Sequence, residues 1–149
     1  MTTDARTITT TAPATFDPAP VNVRITISAL WASMLFVVAY VDIFGLMRPD
    51  YRAEVEAGRV GGLAIDQLFL LGTTAYVLVP ALMVVAALLL RPRLNRIVNV
   101  VLSMVYALSI VGTSIGEWEY YLLGSVVEIG LLAAIAYHAW TWPKAAVSR

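Results

Sequence analysis

The chain has 149 residues, of which 60% are hydrophobic and only 13% charged, and its formal net charge is zero. A soluble domain needs about twice that share of charge to cover its surface, and a neutral chain offers no global basic field for nucleic acid. With no cysteine and a single histidine, His138, the chain by itself excludes thiolate catalysis, disulfides, iron–sulfur ligation, covalent haem attachment and histidine-built haem or zinc sites. No cofactor, metal ligand set, catalytic residue or nucleic-acid partner is expected.

Residues 1–22 are rich in Thr, Ala and Pro without hydrophobic periodicity, and read as a disordered tail. They lack the apolar centre of a secretory signal peptide, so no cleavage is expected there. A transmembrane domain follows over residues 23–143, and residues 144–149 form a short C-terminal tail. Within the domain, four apolar segments cover residues 25–47, 65–90, 97–115 and 120–142. About 20 residues at 1.5 Å each cross a hydrocarbon core near 30 Å. Lipid offers no partner to free backbone groups, so each segment is expected to be a helix. The fold class is an all-α membrane protein, an up-down bundle of four transmembrane helices.

The first segment holds one charge, Asp42, near its end. Next comes a charged loop in which Pro49 and Asp50 start a short helix over residues 51–57, closed by Gly58. Arg52 and Glu56 are spaced as an i,i+4 pair, and Tyr51 and Val55 share a face suited to the membrane surface. Gly61 and Gly62 loosen the chain ahead of the second segment. That segment opens on Asp66 and Gln67 and contains Pro80, which cannot donate to the Tyr76 carbonyl and so leaves a free acceptor. Pro92 stops the second segment, and Asn95 is placed to cap the third. The third segment aligns Asn99, Ser103, Tyr106 and Thr113 on one face.

Glu128 in the fourth segment lies eight residues past Tyr120, roughly 12 Å along a helix. An acid at that depth costs on the order of 2.5–3.5 kcal/mol, which marks it as functional by default. Gly124 and Ser125 share its face and let a neighbouring helix come close. The candidate ligand- or ion-binding residues are therefore Glu128, Asp42, Asp66, Gln67, Tyr106 and Asn99. Each also has a structural reading. Asp66 suits a helix start, Asp42 can reach headgroups or an arginine, the Asn99–Tyr106 stripe can tie helices together, and Glu128 can hydrogen-bond Tyr106 or a serine. His138 sits among Tyr137, Trp140 and Trp142 and reads as an interfacial residue.

Several of these motifs resemble a bacterial family of small four-helix membrane proteins known as a domain of unknown function. The resemblance rests on DIFGLM from Asp42, DQLFLLG from Asp66, Pro80, the Asn-Arg turn before residue 97, Glu128 and the closing AWTW, and it covers about residues 28–142. It implies the fold and a bacterial cytoplasmic-membrane location, and carries no activity. A weaker likeness to DoxX-like membrane proteins lies in size and helix count. Small multidrug transporters share four helices and an embedded glutamate, but theirs lies in the first helix of a shorter chain.

The functional expectation is a protein that binds or conducts a small cation, proton or amphiphilic ligand at an outward-facing acidic pocket. The alternative is a structural or accessory subunit, partnered by lipid, a second copy or another membrane protein. A lipid- or quinone-active enzyme has the least support. If the helices alternate, Arg6, Arg24, Arg91, Arg93, Arg96, Lys144 and Arg149 share one side and Arg48, Arg52 and Arg59 the other. That seven-to-three asymmetry predicts both termini in the cytoplasm. Reporter fusions after Arg149 and within residues 55–59 should give opposite signals, and an external C-terminus would reverse the orientation.

Overall fold

The computed structural model describes residues 21–142. Residues 1–20 of the expected N-terminal tail and the whole C-terminal tail lie outside them. The described residues form α1 (Val23–Gly45), α2 (Pro49–Glu56), β1 (Arg59–Val60), β2 (Leu63–Ala64), α3 (Gln67–Leu89), α4 (Pro92–Thr113) and α5 (Glu119–Trp140). The four longer helices have 22 or 23 residues and are long and apolar enough to cross a membrane.

Local chemistry sets the boundaries. Asn22 caps α1, its side chain accepting from the Arg24 N–H at 2.9 Å. The apolar run continues to Met47, but the helix ends at Gly45 because Leu46 and Met47 donate three residues back, to Ile43 and Phe44, the tighter bonding of a closing turn. Asp66 is the cap of α3, accepting from the Phe69 N–H at 2.8 Å. The largest departure is at α4, which starts at Pro92 rather than near residue 97. Proline is tolerated at the first helical position, where its missing N–H has no partner to lose. Pro92 therefore opens the next helix as well as following the last one. Asn95 is consequently not a cap: it lies inside the helix and is fully buried.

Cross-helix contacts fix the directions. Ser28 donates to the Val84 carbonyl at 2.7 Å and Arg24 to that of Leu88, so α1 and α3 run antiparallel. Gly124 on α5 meets Val41 near the far end of α1. Arg96 near the start of α4 donates to the Ala139 carbonyl near the end of α5, while Ser114 and Ser125 meet at their other ends. The helices thus alternate up and down. α1 packs against α3 and α5, α5 packs against α4, and α3 meets α4 more sparsely.

The core centres on Ile27, Trp31, Met34, Leu132 and Ile135. The Trp31 indole donates to the Asn99 carboxamide oxygen at 2.7 Å, Asn99 donates to the Asn95 side chain at 2.5 Å, and Asn95 donates to the Ala87 carbonyl at 2.6 Å. Tyr106 lies edge-on to Trp31 and donates to the Tyr76 carbonyl at 2.5 Å. That carbonyl is the one Pro80 leaves without a helical donor. Outward, Phe36, Leu68, Leu89 and Leu108 are two-thirds or more exposed, an apolar belt suited to lipid.

Gly124 is the tightest point. A Cβ there would run into a Val41 methyl, and the β-branched valine has little rotamer freedom to yield. Gly124→Ala should cost about 1–3 kcal/mol through overpacking, and adding Val41→Ala should recover most of it. Detergent-phase thermal melts of the parent and the two variants check this; an unchanged single-variant melt would mean that α1 and α5 can separate freely.

Candidate functional site

One end of the bundle is built by the loops. After α1, the chain turns through Arg48 into α2, whose Pro49 takes the first helical position. Gly58, at φ +75°, ends the helix. The chain then folds back as a hairpin in which Arg59 pairs with Ala64 and Val60 with Leu63. Gly61 and Gly62 both have positive φ, as a two-residue type I′ turn requires. They therefore form a defined turn, not the loose link their sequence suggests. Glu54 accepts from the Gly62 N–H at 3.0 Å and ties the turn to α2. The expected Arg52–Glu56 pair is not formed, because Arg52 instead donates to the Leu46 carbonyl at 3.1 Å.

This α2–hairpin segment covers a cavity of about 600 Å³ walled by α1, α4 and α5. Its lining contains the carboxylates of Asp42, Asp50, Glu54 and Glu117, the Arg48 guanidinium, and the rings of Tyr51, Tyr120 and Tyr121. Arg48 is the clasp. It donates to Asp50 at 2.7 Å and to Glu117, in the loop between α4 and α5, at 2.5 Å. Its guanidinium also lies 4.4 Å from the centre of the Trp118 ring, a cation–π contact. Hydrogen bonding to Asp50, then to Glu117, raises the Arg48 pKa above its ordinary value. The same bond holds Asp50 below the usual carboxylate value, and burial, followed by the negative field of Asp42, pushes the Tyr51 hydroxyl up.

Arg48 thus compensates two of the four carboxylates, and Glu54 is engaged by the hairpin turn. Asp42 lines the cavity with no hydrogen bond or ion pair to any described residue. Glu128 lies deeper on α5, 5% exposed, within electrostatic range of Asp42 and of the Tyr76 and Tyr121 hydroxyls. It too makes no hydrogen bond to a described residue, yet no fully buried side-chain oxygen or nitrogen among them is left unpartnered. Its carboxyl oxygens are therefore not completely sealed.

The other candidates are placed elsewhere. Asp66 caps α3 beside a separate surface depression lined by Leu63, Phe69 and Thr73, and Gln67 is exposed at that helix start. Asn99 and Tyr106 are spent inside the core network. The structure adds Arg48, Tyr51, Glu54 and Glu117. The three charged ones were signalled as opposite charges in two connections on one side, but such a charge does not reveal its partner across 69 positions of sequence; Tyr51, expected on the membrane surface, lines the cavity instead.

Residues 20–149 match the family of unknown function DUF6326, and this match over nearly the whole chain shows that the chain belongs to it. No curated protein and no solved structure matches, so the DoxX likeness gains no support.

Because Asp50 has a depressed folded pKa, its stabilising contact is present above the ordinary value of 3.8 and is lost as pH falls through the lower folded one. Arg48→Gln should remove the clasp at any pH. Hydrogen exchange should then rise in residues 48–64 at neutral pH while α3 stays protected. Unchanged exchange in that segment would mean that the clasp holds nothing.

Proposed function

We propose that this family member is a multi-pass membrane protein that binds a cationic ligand, best an organic cation, in the cavity beneath the α2–hairpin segment. The observation that carries the reading is four carboxylates against one guanidinium around that space. The volume falls within the roughly 300–1,000 Å³ usual for small-molecule sites. Asp42 supplies an uncompensated charge at the wall, and Tyr51, Tyr120 and Tyr121 supply aromatic faces that attract cations. A bare metal ion is the poorer fit, since the described residues hold no cluster of three His, Cys, Asp or Glu placed to bind one. Glu128 stands deeper on α5, outside the cavity's lining, and its part in the proposal is to couple to the bound cation by giving up a proton.

Arg24, Arg91, Arg93 and Arg96 gather at the opposite end of the bundle. Under the positive-inside rule that end is cytoplasmic, and the cavity opens outward. The resemblance supports a bacterial cytoplasmic membrane. A subunit role is favoured by one different observation: Gly72 and Gly130 face open space, where a partner helix can approach closely.

Tetraphenylphosphonium is a suitable probe, added to the purified chain in detergent and followed by calorimetry. Asp42→Asn should weaken binding at least about tenfold, near 1.4 kcal/mol, without lowering the melting temperature. Glu128→Gln should fold normally and abolish the pH dependence of binding. No binding by the parent, or equal binding by Asp42→Asn, would overturn the cation site and leave the subunit reading ahead.

A further inference from the structure

The opposite end of the molecule carries a second, chemically inverse feature. Between the start of α4 and the end of α5 lies a groove of about 520 Å³, walled by Ile97, Val101 and Trp140 with Arg93 and Arg96 at its rim. The floor is apolar and open along the bundle, and Trp140 is 71% exposed. Arg96 is held in place by donating to the Ala139 and Trp140 carbonyls at 3.1 and 3.0 Å. Those bonds use two of its five N–H donors. Arg93 makes no side-chain hydrogen bond or ion pair with a described residue.

The charges there are poorly placed for the protein alone. Arg91, Arg93 and Arg96 surround the N-terminal turn of α4, which has no acidic residue and no side-chain cap. That is the positive end of the helix dipole, where cations are disfavoured and anions favoured. Every described carboxylate lies toward the other end or, for Glu128, near mid-helix. An anion at the rim would relieve this repulsion, and an apolar chain would fill the groove below it.

We infer that this groove binds an anionic phospholipid, its phosphate at Arg93 and Arg96 and an acyl chain along Ile97, Val101 and Trp140. Basic rims between membrane helices recognise headgroups in this way, and guanidinium–phosphate bonds are among the strong charge-assisted ones. The inference rests on the bilayer placement but not on the cation site.

Native mass spectrometry of the detergent-solubilised chain, offered equal phosphatidylglycerol and phosphatidylcholine, reads the preference. The parent should retain phosphatidylglycerol about tenfold better. Arg93→Gln, at an exposed residue, should erase that preference, and Val101→Trp should reduce retention by filling the groove with the charges intact. Asp42→Asn should retain the lipid like the parent, so this site and the cation cavity stand or fall separately. Equal retention of the two lipids by the parent, or unchanged retention in both groove variants, overturns the site. Displacement of the lipid by millimolar inorganic phosphate would also overturn it, indicating a free-anion site.

Discussion

The helices are held in register by a run of side-chain hydrogen bonds through the core. Trp31 on α1 reaches Asn99 on α4, Asn99 reaches Asn95, and Asn95 reaches the α3 carbonyl of Ala87. Apolar contact cannot decide register where the surroundings are lipid, because a leucine gains little by leaving hydrocarbon for other leucines. A buried carboxamide has a much narrower choice, since an unmade hydrogen bond costs its full desolvation. Individually such bonds average about 0.6 kcal/mol in membranes. Their larger effect is to penalise every register but one.

The same logic explains how α3 and α4 stay together despite their sparse packing. Pro80 releases the Tyr76 carbonyl, Tyr106 donates to it, and the Tyr76 hydroxyl meets Ser109 at 2.7 Å. The cost of a proline within a helix is offset by a cross-helix bond that a regular helix would not have left available. Gly124 makes the corresponding allowance between α1 and α5, where close approach leaves no room for a side chain.

With the core committed to these bonds, both proposed ligand sites fall at the ends of the bundle. At one, four carboxylates and one arginine, which clasps two of them, line a cavity beneath the α2–hairpin segment. At the other, arginines crowd a helix start without a carboxylate and border an open apolar groove. The two proposed sites are thus opposite in charge: one acidic and beneath the α2–hairpin segment, the other basic and bordering an apolar groove.

The sequence by itself determined the four long apolar helices, the short helix after Pro49 and the acceptor freed by Pro80. Each follows from local chemistry: apolar length, a proline's fixed φ, or a missing N–H. The depth of Glu128 along its helix was legible for the same reason. Only the tertiary structure decided the roles of the polar residues. Asn95 reads as a cap by spacing, but Pro92 starts α4 early enough to carry it into the core. Asp66 suits a helix start by sequence and is used so by the backbone of α3, whereas only the packing of α1 beside the loops puts Asp42 at the cavity wall. Arg48 reads as one loop charge among several until it meets Glu117, which is far away in sequence. Periodicity and length fix where a helix runs, but which polar groups meet depends on how helices rotate and approach one another, and that is settled by contacts between distant parts of the chain.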